Sequence, residues 1–200
     1  MCPVHLISQH VPKILATVEW LLTCQDDSGN WPTQAPDGLS GRVSDLVQWC
    51  HGAPGILILL STVLRSSRKK YNRMPLDKHL EHKIITSLQH GATLVYRHGF
   101  LRKGVGICHG VAGSIYALLA VSDAIDTSNT SALGHAVRLA HIATKYESYI
   151  SEGEMTVPDH PWSLYEGLAG MCCAWAEVLH RLESKRARKC SGMPGIDDLG

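Results

Sequence analysis

The chain has 200 residues, of which 44% are apolar and 18% are charged, and its formal net charge is +1. This composition is typical of a globular domain and excludes a disordered chain, and the near-zero charge gives no general attraction to nucleic acid. Residues 1–13 show no charged region followed by an apolar one, and no apolar run is long enough to span a membrane, so we expect no signal peptide and a cytoplasmic location.

Amphipathic and apolar segments alternate along the chain. The amphipathic segments repeat apolar residues every three or four positions, and they cover Ile14–Leu22, His79–Arg97 and Ala132–Tyr149. Segments that are apolar nearly all round follow them, at Ile56–Leu64, Ile115–Val121 and Met171–Leu182. No stretch alternates with a period of two, so we predict an all-α fold with almost no sheet.

A short phrase precedes each apolar segment. It reads WCHGAPGI from Trp49, ICHGVAGS from Ile107 and LYEGLAGM from Leu164, with spacings of 58 and 57 residues. The repeat predicts three helical hairpins with the apolar helix inside and the amphipathic helix outside, and each hairpin needs neighbours to bury its flanks. We expect this domain to cover residues 1–185 and a disordered tail to cover 186–200.

Long turn-rich loops lead into the three inner helices, at residues 26–41, 97–106 and 150–162. All three should approach the same end of the bundle, where a rigid scaffold can hold binding residues. The basic stretch RSSRKKYNR, residues 65–73, lies at the opposite end of its hairpin. It is interpreted as a solvated connection, with contact to a membrane surface as the alternative.

The glycines of each phrase should bring the residues just before them to the bundle axis. Cys50 and Cys108 share one repeat position, and the odd total of seven cysteines favours free thiols or metal ligands over a disulfide framework. Cys50, Cys108 and His109 are therefore candidate Zn²⁺ ligands that leave the fourth position open, as in catalytic sites. From spacing alone an alternative stays open, in which the thiols are small buried groups and the histidines are hydrogen-bonded in the core.

Two further polar residues occupy the repeat position of His109. His51 is either a proton carrier beside the site or a packed core residue. Glu166 either contacts a substrate amine or complements a helix N-terminus.

The phrases WCHGAPG, GICHGVAG and SLYEGLAG, together with the segments GFLRKGVGICHG and PDHPWSLYEG, resemble the eukaryotic branch of the lanthionine synthetase C-like family. The resemblance covers about residues 10–183. It implies an α/α toroid of seven inner and seven outer helices, of which about three hairpins are present, so the chain would match the C-terminal portion. It also implies that zinc binds through Cys50, Cys108 and His109.

The resemblance further implies that glutathione binds and that its thiol adds to dehydroalanine or dehydrobutyrine residues in peptides or proteins. Lys103 matches the family's glutathione-contacting lysine, and a second contact matches Thr156, Val157, Pro158 and Asp159. Thr156 stands where the family often has arginine. The upstream histidine that serves as acid or base in bacterial members has no visible counterpart, and His51 is the remaining candidate for the catalytic proton transfer.

Three functions remain open on these grounds. The first is a zinc-dependent transferase that forms thioethers from glutathione and dehydroamino acids. The second is a non-catalytic module that binds zinc and glutathione, or an inactive truncated fragment. The third and weakest is a toroid glycosidase, which needs two acidic residues in its cleft, whereas the inner-helix starts offer only Glu166.

Overall fold

The computed structural model of the chain describes residues 8–34, 44–69, 74–125, 131–183 and 192–196. Seven α-helices follow a short 3-10 turn at Ser8–His10, and they are α1 (Val11–Thr23), α2 (Ala53–Ser67), α3 (Lys78–His98), α4 (Val111–Ile125), α5 (Ser131–Ala143), α6 (Tyr146–Ser151) and α7 (Leu168–Glu183). The described residues contain no strand, so the all-α prediction is confirmed. None of their helices is both long and apolar enough to cross a bilayer.

The helices form two layers. The inner layer consists of α2, α4 and α7, in which α4 packs against both of the others. The outer layer consists of α1, α3 and α5, where α3 contacts both neighbours and also packs on α2 and α4. The arrangement is the predicted partial α/α toroid of three hairpins.

The central inner helix is buried almost all round because it has neighbours on both sides. In α4, twelve of the fifteen residues are buried. The other two inner helices have only one inner neighbour each, and they expose Leu59 on α2 and Leu179 and Leu182 on α7. Among the three inner helices, the extent of burial therefore follows the number of inner helices that each one packs against.

The third outer segment differs from the prediction. Ala132–Tyr149 was expected to form one amphipathic helix, but the helix breaks into α5 and α6 at Thr144–Lys145. The Thr144 hydroxyl donates to the carbonyl of His141 at 2.7 Å, and the Thr144 N–H donates to the same oxygen at 3.1 Å. A threonine that bonds to nearby backbone offers an alternative to the helical ladder, which explains the break.

Backbone hydrogen bonds connect the three phrases at one repeat position. The N–H of Cys50 donates to the carbonyl of Cys108 at 3.2 Å, and the N–H of Cys108 donates to the carbonyl of Tyr165 at 2.7 Å. We call these two bonds the phrase ladder. It aligns the starts of the inner helices side by side, so equivalent residues of successive hairpins become neighbours.

The second glycine of a phrase allows close packing between repeats. A Cβ at Gly113 would overlap the carbonyl oxygen of Ile107 and would lie 3.1 Å from the Cβ of Trp49 in the preceding hairpin. Gly170 shows the same pattern, with the carbonyl of Leu164 on one side and the Ile107 side chain at 3.0 Å on the other. Larger residues at these positions would push the hairpins apart.

A buried ion-pair cluster joins the C-terminal ends of two inner helices, α4 and α7. The Arg181 guanidinium of α7 lies 2.5 Å from the Asp123 carboxylate of α4 and 2.8 Å from Glu177. All three side chains are at most 8% exposed. The cluster therefore fixes α7 against α4 at the end remote from the phrases.

Several of the sequence predictions fall partly outside the described residues, and the loop at 26–41 is described only as far as residue 34. The basic stretch at 65–73 is described only as far as residue 69, and the membrane contact considered for it stays a prediction. In the expected tail at 186–200, only residues 192–196 are described, and Met193 among them is buried.

Candidate metal centre

The structure brings the three predicted zinc ligands together. The Sγ atoms of Cys50 and Cys108 and one ring nitrogen of His109 all lie within 4.8 Å of one another. Within the described part of the chain, no other three Cys, His, Asp or Glu side chains form such a group. We call these three residues the Cys-Cys-His group.

The donor set and its spacing fit zinc. Tetrahedral ligands that lie about 2.3 Å (sulfur) or about 2.0 Å (nitrogen) from one ion are roughly 3.5 Å apart, so closing the group on an ion needs movements of about 1 Å. Cys50 is exposed, whereas Cys108 and His109 are half-buried. Three protein ligands with one exposed side leave room for a fourth ligand from solution.

The phrase ladder explains why the ligands converge. Cys50 precedes α2 and Cys108 precedes α4, and these residues are 58 positions apart in the chain. The bond between the Cys50 N–H and the Cys108 carbonyl places the two residues side by side. His109 then follows Cys108 directly, so it reaches the same point from the turn just before α4.

The charge environment of Cys108 keeps its thiol protonated when no cation is bound. The pKa of Cys108 is raised to about 11, chiefly by burial and then by the hydrogen bond and charge of Cys50 and the carboxylate of Glu166. The ammonium group of Lys103 acts in the opposite direction. A metal ion must therefore displace a proton from Cys108 on binding.

Two residues that the sequence did not single out support the first phrase. Asn30 is 1% exposed, and its side-chain oxygen accepts the N–H of Ala53, in the first turn of α2, at 2.8 Å. Its amide nitrogen donates to the carbonyls of Ser44 at 2.7 Å and Leu46 at 3.1 Å. The turn-rich sequence around Asn30 marked a loop, but these partners lie 14 to 23 residues away and no local pattern identifies them.

Gln48 is the second unpredicted residue. Its side chain is buried, and its oxygen lies 3.8 Å from the Cys50 sulfur as an acceptor. Its backbone N–H donates to the carbonyl of His51 at 2.9 Å. Gln48 therefore orients Cys50 and closes the turn that carries it.

The two other predicted polar residues border the group without belonging to it. His51 is exposed and lines a cavity of about 290 Å³ that Cys50 also lines. Glu166 is half-buried, and its backbone N–H donates to the hydroxyl of Ser163 at 3.1 Å. The carboxylate of Glu166 is one of the charges that raise the pKa of Cys108.

The loops that carry the predicted glutathione contacts pack against each other. The N–H and hydroxyl of Thr156 both donate to the carbonyl of Arg102, at 2.7 and 3.1 Å, which places Thr156 beside Lys103. Thr156, Val157 and Pro158 line a second cavity, of about 260 Å³, together with Gly104. Asp159 is exposed and follows directly after this wall, and Lys103 is exposed.

The remaining described cysteines are free thiols outside the group. They are Cys24, Cys172 and Cys173. Cys24 is buried and donates to the carbonyl of Trp20 at 3.3 Å, and the other two lie in α7.

Comparison with known proteins places the chain in a family. The family model described as lanthionine synthetase C-like protein matches residues 5–193. The chain is 33% identical over 140 residues to the glutathione S-transferase LANCL1 of Danio rerio, covering 70% of this chain and 30% of that protein. It is 27% identical over 186 residues to the LanC-like protein GCL1 of Arabidopsis thaliana, covering 90% of this chain and 38% of that protein. The chain thus spans about a third of the length of these relatives, and it belongs to the lanthionine synthetase C-like family.

Proposed function

We propose that this protein binds one zinc ion through Cys50, Cys108 and His109 and adds the thiol of glutathione to dehydroalanine or dehydrobutyrine residues of peptides and proteins. The observation that carries the proposal is the approach of three ligand atoms to within 4.8 Å of one another. The family supports it, and so does the Danio rerio relative, which is named a glutathione S-transferase.

Zinc held by Cys50, Cys108 and His109 would supply a positive charge that lowers the pKa of a neighbouring thiol below its free value of ~8.5, so the thiol would lose its proton to water at neutral pH. The exposed side of the group, at Cys50, is where this thiol approaches. The sulfur then bonds to the β-carbon of the electron-poor alkene, and the electron pair of the double bond moves to the α-carbon and its carbonyl. One proton at the α-carbon completes the addition and leaves a thioether.

His51 is the side chain we assign to that proton transfer. It lies one residue from Cys50, it is exposed, and it faces the cavity that Cys50 also borders. An imidazole can carry a proton near neutral pH, whereas the thiols of the group are committed as ligands. His51 is therefore placed to donate to a carbon that lies next to Cys50.

The charged groups beside Cys108 match the charges of glutathione. Lys103 can pair with a carboxylate of the tripeptide, and Glu166 can pair with its ammonium group. Both also act on the pKa of Cys108, which supports this assignment. Thr156, Val157, Pro158 and Asp159 form the adjoining wall and edge, and Thr156 is held there by its two bonds to Arg102.

We place this activity in the cytoplasm, where free thiols persist. The five described cysteines are all free, as expected in a reducing compartment.

Metal analysis followed by an addition assay tests the proposal. The purified chain should contain about one zinc per molecule, Cys108→Ala should lose it, and the control Cys173→Ala, a half-buried thiol outside the group, should keep it. Incubation with glutathione and a dehydroalanine peptide should then increase the peptide mass by that of one glutathione. A metal-free chain would refute the zinc site, and zinc and glutathione binding without addition would identify a non-catalytic binding module.

A further inference from the structure

A cavity lies directly beside the Cys-Cys-His group. It has a volume of about 290 Å³ and opens between the end of α1, the loop that follows and the start of α2. This size is at the lower end of small-ligand pockets, which begin near ~300 Å³. Cys50 and His51 form part of its wall, so a group bound in the cavity lies next to the proposed reacting atoms.

Three indole rings supply much of the remaining wall. Trp31 is 2% exposed and its indole N–H donates to the carbonyl of Leu21 at 2.8 Å, so its polar atom is satisfied and its ring is held in place. Trp49 packs against the ring of Tyr165, with 5.9 Å between the ring centroids. Trp20 lies at the rim and is 42% exposed. The apolar walls are therefore formed before any ligand arrives.

The cavity suits a neutral, apolar group. Of the described residues that line it, none is Asp, Glu, Lys or Arg. Glutathione carries carboxylates and an ammonium group, which would lose their hydration there without gaining a charged partner. The cavity that Thr156 and Pro158 line shares no described residue with this one. Glutathione and the polypeptide substrate would therefore bind in different cavities.

We propose that the cavity holds an aliphatic or aromatic side chain of the polypeptide substrate, at the position next to its dehydroamino acid. This inference rests on the proposed function and names the substrate class that the site prefers. Successive Cα atoms are ~3.8 Å apart, so a side chain one position from the reacting alkene can enter a cavity whose wall includes Cys50. His51, on the same wall, then faces the α-carbon of the alkene.

Competition between peptides measures this preference. Three dehydroalanine peptides that differ only in the neighbouring residue, leucine, glycine or lysine, are compared by kcat/KM for glutathione addition. Leucine should exceed glycine by about tenfold or more, because its side chain leaves water, and lysine should show no such gain.

A pair of charge variants assigns the preference to the cavity. Thr33→Asp places a carboxylate on the cavity wall at an exposed position, and it should reduce the leucine-to-glycine ratio to near one. The control Thr86→Asp makes the same change at an exposed site on α3 away from the cavity, and it should leave the ratio unchanged. Each ratio is measured within one protein sample, so a difference in the folded fraction cancels.

A binding assay separates this inference from the proposed function. Analogues with alanine in place of dehydroalanine are titrated without glutathione while tryptophan fluorescence is followed. The leucine analogue should bind at least about tenfold tighter than the glycine analogue. If this preference is seen but no thiol addition occurs, the inference about the cavity is supported and the proposed chemistry is refuted.

Other results would overturn the inference and leave the proposed chemistry intact. These are thiol addition at equal kcat/KM for the three peptides, a leucine preference that survives Thr33→Asp, and equal kcat/KM for a free dehydroalanine derivative that has no neighbouring residue.

Discussion

Replacing Asn30 by alanine should weaken both the fold and the metal centre. The Asn30 side chain connects the loop after α1 with the segment before α2 and with the first turn of α2, through three hydrogen bonds of 2.7 to 3.1 Å. It is 1% exposed, so water cannot replace these bonds without a rearrangement. Cys50 lies between the segments that Asn30 connects, which makes its position depend on this side chain.

The size of the effect follows from the bonds that are lost. Each net hydrogen bond contributes about 1 kcal/mol, and a buried N–H left without an acceptor, here that of Ala53, costs about 1–3 kcal/mol more. We therefore expect Asn30→Ala to lower the free energy of unfolding by about 4–6 kcal/mol. The zinc affinity should fall as well, because the turn that carries Cys50 loses its anchor.

Urea unfolding in the presence of a chelator measures the first effect, and competition with a coloured chelator measures the second. Ser28→Ala is a suitable control, since the Ser28 hydroxyl belongs to the same loop but is exposed and bonds only to Asp26 among the contacts described. That variant should change stability by less than about 0.5 kcal/mol. A loss below about 1 kcal/mol for Asn30→Ala, with unchanged zinc affinity, would refute the anchoring role.

Three further predictions concern protonation, packing and buried charge. Zinc affinity should rise with pH, and the loss of one proton from Cys108 should contribute about tenfold per pH unit between pH 6.5 and 8.5, because the pKa of this thiol is raised to about 11. An affinity that does not change with pH would contradict this. Gly113→Ala should lower the free energy of unfolding by more than about 1 kcal/mol in thermal or urea unfolding, because the added Cβ overlaps the carbonyl of Ile107. At Gly134 an added Cβ would have no atom within 4 Å, so Gly134→Ala should be neutral or stabilising. Arg181→Met should lower the free energy of unfolding by about 3–5 kcal/mol in the same assay, because it leaves buried carboxylates without their partner. The control Arg102→Met, at a side chain that is 76% exposed, should lower it by less than about 1 kcal/mol. Equal losses for the two variants would refute the importance of burial.

The repeat made the centre of this structure predictable. The matching phrases, at nearly equal spacings, placed Cys50 and Cys108 at one repeat position, and His109 followed as the next residue after Cys108. Periodicity likewise separated inner from outer helices, because a helix buried all round and a helix with one polar face differ in composition.

Contacts between distant loops were not predictable in the same way. Asn30 and Gln48 act through partners that only the folded chain brings near, and each is an ordinary residue in its local sequence. The break between α5 and α6 depends on the Thr144 hydroxyl, and threonine also occurs inside intact helices, as Thr62 does in α2. Side-chain bonds of this kind are decided by competition with tertiary packing rather than by residue type.

The phrase ladder consists of main-chain hydrogen bonds only, so the alignment of the helix starts does not depend on which side chains occupy its positions. A side chain at any of its three positions can change while the N–H and carbonyl groups still hold the helix starts in line. The third position holds Tyr165, which offers no thiol. Tyr165→Cys would place a third thiol at the repeat position of Cys50 and Cys108, so a single substitution would offer the proposed centre a fourth protein ligand in place of an open position.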